Sequence, residues 1–505
     1  MGRKVHAAVL VVSAGLVSAC GTESTGGIEL VLSLPSSGDL RPTGMATVAV
    51  GITQADGVEN ISTTPLDGMR FDAGDVALDE PIRLRVELRD NTSRLVAFGL
   101  VEETILPDRT QQTITIPVRK PIIYVSSERT VGTLDPTYDG LDPKFQGTIG
   151  NTTASIAFPI DGTELAVVTG TTLQRIATAD HKPVGNAIDL KVTGATDAAR
   201  IPGQRRIVVA AAGGLVLVDV DTGEVRSLAT APKPDRVAIG GTAETGFTAY
   251  ALIGRVAPVT GAGTCTGSSM VLGYSIDQPT ELPVMVATGQ LSDIEASGDA
   301  VFGANPCNGS VTRLDAGMPR LMFTVTGAGA LAIEGSRLWI AGSAARATGQ
   351  GARIRIASVR LDGTDPQDVT LAPKAEVMTY DFDSQNELSL NIHADTLVPI
   401  DLAVLPGAQY VALITRMDSH RAARFDPSTG SKVIPEMNAT VHDLVLADPQ
   451  TGAISQRIRA RCVLTLIAKT NAEFADWSCI TASGAESPVA GESTPTTIGA
   501  LYGGR

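Results

Sequence analysis

Ser155-Ile-Ala-Phe158-Pro-Ile-Asp161-Gly162-Thr-Glu-Leu165-Ala-Val-Val168-Thr-Gly170, followed by Thr172-Leu-Gln-Arg-Ile-Ala177, is the stretch on which the fold turns. Short apolar runs flank an Asp-Gly pair, a turn signal, so the segment reads as a strand, a tight turn and two further strands within about 25 residues. Related starts recur at Asp197 (DAARIPGQRRIVVAA), Asp235 (DRVAIGG), Ser292 (SDIEASGDAVFGA), Gly329 (GALAIEGSRLWIAG) and Asp401 (DLAVLPGAQYVALI). Most are spaced by about 40 residues, with longer gaps from Asp235 to Ser292 and from Gly329 to Asp401 that read as insertions.

A period near 40 built from short strands is the pattern of a β-propeller, a ring of small antiparallel sheets. A second phrase recurs as Asp219-Val-Asp221-Thr222-Gly223, Asp426-Pro-Ser-Thr429-Gly430 and Asp448-Pro-Gln-Thr451-Gly452, each after an apolar strand. An Asp caps local amides and a Gly accepts positive φ, so each is read as the turn from the third to the fourth strand of a blade. Ile123-Tyr124-Val125-Ser126-Ser127, with Val131 to Asp135 after it, resembles the YVTN-type repeat of WD40-like propellers, which implies the same fold over about residues 121–457. The apolar segment Thr496 to Tyr502 is expected to supply the inner strand that Pro121 to Ser127 lacks, closing a propeller over 121–505 and removing an open edge. Seven blades result, with six or eight as the alternatives.

Residues 28–119 follow a different period. Ile82-Arg-Leu84-Arg-Val86-Glu-Leu88-Arg89 alternates apolar and charged residues, and Ile28 to Leu34 and Thr113 to Val118 do the same. Such strands show one face to a core and one to water. Turn clusters at Pro35 to Gly38, Ala55 to Gly57 and Leu66 to Gly68 separate them, giving a small antiparallel β-sandwich that resembles immunoglobulin-like or transthyretin-like spacer modules. The fold class is therefore all-β, a sandwich followed by a propeller, with the boundary at Lys120 and Pro121.

The N-terminus decides the expected compartment. Arg3 and Lys4 precede an apolar run from Val5 to Val17 that is too short to span a bilayer and closes in small residues, the layout of a signal peptide over 1–19. Val17-Ser18-Ala19-Cys20 resembles the lipobox of bacterial lipoproteins, which implies lipidation of Cys20, cleavage before it and anchoring by more than one acyl chain. Gly21, where an Asp would signal inner-membrane retention in that family, implies the outer membrane; periplasmic and surface faces both stay open. Residues 20–27 are small and polar and read as a tether. The four remaining cysteines fall into the close pairs Cys265 with Cys307 and Cys462 with Cys479, expected as disulfides in an oxidising compartment. A net charge of −14 without Lys/Arg blocks disfavours nucleic acid as a partner.

Signatures of catalysis are sparse. No GxSxG elbow, HExxH helix or GxxxxGK[ST] loop occurs, the glycines at 261, 263 and 267 lack dinucleotide spacing, and His181, His393, His420 and His442 stand isolated. Asp381, Asp383, Asn386 and Glu387 form a weak calcium candidate without the spacing of an EF-hand loop, so no metal and no cofactor are expected. Function is assigned to insertions at 260–269, 341–351, 375–399 and 461–479, because loops on a rigid scaffold carry binding. The chain thus reads as a lipid-anchored, non-catalytic binding or scaffold protein of the cell envelope that meets a protein or other extracellular ligand. A propeller hydrolase or lyase and an outer-membrane assembly factor are the alternatives.

Overall fold

The computed structural model describes residues 25–504, apart from 36–40, 54–58, 78–81, 106–110, 128–130, 135–154, 179, 231, 262–264, 280, 315–318, 346–351, 372–375, 384–385, 393–394, 406–409, 422–423, 426–431, 435–436, 467–477, 480–494 and 502. Residues 1–24, where the sequence predicts a signal peptide, a lipidated Cys20 and the start of a tether, lie outside these residues. Every regular element described is a β-strand.

Two sheets make the N-terminal domain. In the first, Thr25–Ser33 lies between Arg70–Ala77 and Gln111–Pro117; in the second, Glu59–Pro65, Thr47–Thr53, Ile82–Arg89 and Leu95–Ile105 follow in that order, with Gly503–Gly504 on the far edge. Their apolar faces share one core containing Ile28, Leu30, Val50, Leu84, Val86 and Ile116. The sequence pointed to a purely antiparallel sandwich, but Thr25–Ser33 and Gln111–Pro117 run parallel. The first and last strands of the domain run side by side in the same direction, a pairing that alternation along each strand does not encode. The charged face of Ile82–Arg89 is also less open than its pattern suggests: Glu87 is buried between Arg85 and Arg89.

Beyond Pro121 the chain winds into sheets stacked around an axis. Five are four-stranded antiparallel meanders in chain order, here blades 2 to 6, spanning 155–189, 197–229, 236–289, 293–324 and 330–370. Blade 7 is Thr396–Val404, Val411–Arg421, Met437–Ala447 and Ile454–Leu466; blade 1 is Ile122–Ser127 and Val131–Leu134 with Pro495–Leu501 antiparallel to the former. The innermost strands, Pro495–Leu501, Ser155–Pro159, Asp197–Arg200, Arg236–Thr242, Asp293–Ser297, Ala330–Glu334 and Thr396–Val404, are neighbours in that order and the last returns to the first.

What holds the ring is packing between blades. Leu215 and Leu217 of blade 3 meet Val237 and Ile239 of blade 4, and Leu338 and Ile340 of blade 6 meet Phe302 and Val311 of blade 5. Corresponding clusters fill the other gaps, including Ile123 and Val125 of blade 1 against Ala412 and Ile414 of blade 7. Each fully buried Val, Leu or Ile stabilises by roughly 1.5–3 kcal/mol, so the ring rests on side chains in every gap as well as on the terminal strand.

Of the repeat starts read from the sequence, Ser155 and Asp197 open innermost strands, Asp235, Ser292 and Gly329 immediately precede them, and Asp401 falls inside one that begins five residues earlier, at Thr396. The Asp-x-x-Thr-Gly phrase falls between third and fourth strands at Asp219 and Asp448, where the carboxylate accepts from Thr222 N (2.8 Å) and from Gln450 N (2.7 Å) and Gly223 takes φ +74°. The remaining copy is different: Arg424–Phe425 pairs with Lys432–Ile434 in a hairpin inserted between the second and third strands of blade 7, and residues 426–431 are outside the description. The insertion from 375 is a hairpin as well, Glu376–Asp383 with Asn386–Ile392, and Ser478–Cys479 adds to it.

Candidate functional site

In an antiparallel meander the starts of the innermost strands and the links between second and third strands share one face of the ring. On that face, at the mouth of the central channel, charged residues converge. Arg236 opens the innermost strand of blade 4, Asp197 that of blade 3 and Asp293 that of blade 5; Asp401 follows a bulge in blade 7. The Arg236 guanidinium reaches all three acids: Nη1 is 3.7 Å from Asp197 Oδ1, Nε 3.5 Å from Asp293 Oδ1 and Nη2 3.3 Å from Asp401 Oδ1. Its Nη2 also donates to Ile400 O at 3.3 Å.

The acids have second duties. Asp197 Oδ2 accepts from Val237 N at 2.9 Å and Asp293 Oδ2 from Leu331 N at 2.8 Å, so each ties its blade to the backbone of the next. Arg255 closes the cluster from above: its backbone N donates to Asp235 Oδ2 (2.8 Å), and its side chain to Ser292 O (2.6 Å) and Ile400 O (3.2 Å). Glu295, two residues after Asp293 on the same innermost strand, is partly solvent-accessible and joins the field of these acids.

Removal from water works against every charge here, and the neighbours decide the outcome. Burial alone would depress the Arg236 guanidinium, but Asp401, Asp293 and Asp197 together hold it above the ordinary arginine range. Burial raises the Asp197 carboxyl, and Arg236 pulls it part of the way back. Glu295 is pushed well above the usual carboxylate range by burial and then by the charges of Asp293, Asp197 and Asp401. Burial and the like charge of Arg236 lower Arg255. The cluster holds more carboxyls than guanidiniums, and among them Glu295 is held well above the usual carboxylate range by burial and by its acidic neighbours.

At the domain junction Arg119 is buried and donates to Thr178 Oγ1 of blade 2 at 2.8 Å; burial brings its guanidinium down to about 10. Fully buried Tyr124 places its hydroxyl 3.3 Å from His181 Nε2.

The residues singled out from sequence are placed as follows. Cys265 and Cys307 form a disulfide between the second-to-third-strand links of blades 4 and 5. A bond closing 42 residues removes about 4 kcal/mol of unfolded-state freedom in the loop-entropy model. Cys462 stands in the outer strand of blade 7 and Cys479 in the strand added to the hairpin from 375, and their side chains lie outside the description. Asp381 pairs in register with Glu387 and Asp383 with Asn386 at the end of that hairpin, again without described side chains. His420 Nδ1 is 2.9 Å from Asn438 Oδ1, His442 is buried, and His393 falls outside. Among the described residues no group of three or more His, Cys, Asp or Glu is arranged to hold a metal, and no helix is long and apolar enough to cross a membrane.

Arg236, Arg255 and Glu295 were missed by sequence reasoning. A signal was present: acids stand at or beside the repeat starts Asp197, Ser292 and Asp401, and one arginine stands beside the start at Asp235. Residues at equal phase on innermost strands face one axis, so in a ring they meet.

No family model matches the chain, and no curated protein matches it. Among solved structures, the chain is similar to the Pan2 WD40 domain of Neurospora crassa at 12% identity, covering 58% of this chain and 82% of that one with a TM-score of 0.39. It is similar to the RRP9 WD40 repeats at 10% identity over 58% and 83% with a TM-score of 0.36, and to a protein of unknown function from Bacteroides caccae at 10% identity over 76% and 99% with a TM-score of 0.33. The chain is an all-β protein in which a sandwich precedes a β-propeller, as its strand pairing defines.

Proposed function

We propose that this protein is a lipid-anchored binding or scaffold protein of the cell envelope whose propeller presents contact loops at the end of a short sandwich spacer. The observation that carries the non-catalytic part is the use made of the channel acids: Asp197 and Asp293 each spend one oxygen on a neighbouring blade's amide and the other on Arg236. Charge at the axis therefore works to hold blades together. The links and insertions on the ring are left to meet a partner. The anchor itself rests on Arg3 to Gly21, with Cys20 as the acylated residue.

Two measurements in the native host test this. Metabolic labelling with an alkynyl fatty acid should tag the wild type and not Cys20→Ser, which should move to the soluble fraction. Photo-crosslinking from exposed positions such as Asn308 and Leu282 should give discrete adducts in intact cells. An unlabelled wild type sinks the anchor, and loops that give no adduct sink the scaffold.

A hydrolase or lyase working in the channel is the second reading, favoured by Glu295, two residues from Asp293 on an innermost strand, whose carboxyl burial and the neighbouring acids hold well above the usual range, the direction a general acid requires. Turnover by the crosslinked complex that disappears in Glu295→Gln would decide for it.

A further inference from the structure

The link between the second and third strands of blade 4 does more than join them. After Gly246–Ile253 the chain leaves its own blade. Val256 N donates to Leu291 O at 2.8 Å at the edge of blade 5. Pro258 lies over Gly329 of blade 6 and shares that contact with Pro399 of blade 7. The Val259 carbonyl passes so close to Gly327 that a Cβ there would come within 2.6 Å of its oxygen, and the φ of +62° demands glycine as well. Thr260 Oγ1 accepts from Leu397 N of blade 7 at 2.9 Å, and Gly261 N donates to Ser343 O of blade 6 at 2.9 Å. Residues 255–261 thus cross from blade 4 past blades 5 and 6 to blade 7, over the mouth at which Arg236 gathers its acids. The way back is fixed by Cys265, bonded to Cys307 in a turn that Asn305 organises.

We propose that residues 255–261 are a strap held down by the Cys265–Cys307 disulfide, and that reducing this bond lifts the strap and opens the charged cluster to solvent. The reductant is a dithiol: it gives two electrons and two protons to the bond, its own sulfurs join, and Cys265 and Cys307 become thiols. The asymmetry of the attachments makes this selective. The strap is held at its far end by the hydrogen bonds at Thr260 and Gly261, each a small net gain against water, and at its near end by the hydrogen bonds of Arg255 and by buried Val256. The ring beneath is held by apolar clusters in every gap between blades, and no strap residue belongs to them. The strap can therefore rise while the blades stay packed.

Hydrogen exchange on the full chain, oxidised and after dithiothreitol, tests the proposal, with alkylation confirming that both thiols have formed. Exchange at Val256, Gly261 and Leu397 should accelerate at least about tenfold, while Val208 and Val209 in blade 3 keep their protection. Modification of Asp293 and Asp401, both buried beneath the strap, by a carbodiimide and an amine, read by peptide mass spectrometry, should rise in parallel. A Cys265→Ser/Cys307→Ser double variant should show the open pattern without reductant. Unchanged exchange and labelling in the fully reduced protein overturn the strap, and so does loss of protection throughout blade 3, which would make the bond a staple of the whole ring. Should the double variant not fold, the reduced wild type alone decides between these outcomes.

Discussion

The sandwich and the propeller solve the same problem, keeping charged residues in an all-β protein, in opposite places. In the sandwich the apolar faces of two sheets merge into one core, and charges such as Glu59, Arg85 and Glu87 pair on the outer side of a strand ladder. In the propeller the apolar residues sit between blades, and besides exposed pairs such as Arg205 with Asp221 a buried set of charges meets at the axis, where one arginine serves three acids. A side chain on the outside of a sheet has few neighbours to fail. A side chain at the axis has a partner in several blades, and its loss is shared.

Arg236→Ala breaks that comparison most sharply. It leaves three largely buried carboxylates facing one another, and loss of about 3–5 kcal/mol of stability is expected from denaturant unfolding. Breaking Cys265–Cys307 by the double serine variant should cost about 2–4 kcal/mol, read as a lower melting temperature. Arg85→Ala in the sandwich removes the pair with Glu59 and one of the two arginines on buried Glu87, which Arg89 still holds, and should cost less, about 1 kcal/mol. Equal losses at Arg85 and Arg236 would show that the axis is no more sensitive than the rim.

Acid and base sharpen the same contrast. The folded state holds Glu295 above the usual carboxylate range, so its contribution is fully present below the unfolded value and is lost as pH rises through the folded one. Glu295→Gln should therefore be more stable than wild type at neutral pH and equal to it in acid. In the sandwich Asp90 is held below the usual range, first by the Thr92 hydroxyl and then by the Arg94 backbone, so its contribution is present at neutral pH and is lost as pH falls. Asp90→Asn should differ from wild type at neutral pH and converge with it in acid. Unfolding curves of the two variants across pH should diverge in opposite directions; parallel curves would refute the assignment.

How much of this was legible follows from the kind of information a sequence holds. A repeat period places residues along the chain, so the innermost strands at Ser155, Asp197, Ser292 and Gly329 could be located from their starts, and that of blade 7 to within five residues, at Asp401. It does not say which side chains meet across an axis, and the convergence of Asp197, Asp293 and Asp401 on Arg236 stayed hidden although each acid stands at or beside a repeat start. The long gap after Asp235 marked an insertion, read at 260–269, but the path of the link that carries it over Gly327 to Leu397 depends on surfaces that exist only once three other blades have formed. The parallel pairing of Thr25–Ser33 with Gln111–Pro117 escaped for a related reason, because alternation fixes which face is buried and leaves strand direction open.

Blade 1 joins Ile122–Ser127 to Pro495–Leu501. During synthesis the earlier strand emerges long before its partner exists, so every other blade can assemble while this one waits. Contacts so distant along the chain are slow to form, and an edge kept waiting is open to pairing with the wrong neighbour. Closure of the first blade is thus a step that must wait for the last strand, and until then Ile122–Ser127 keeps an unpaired edge.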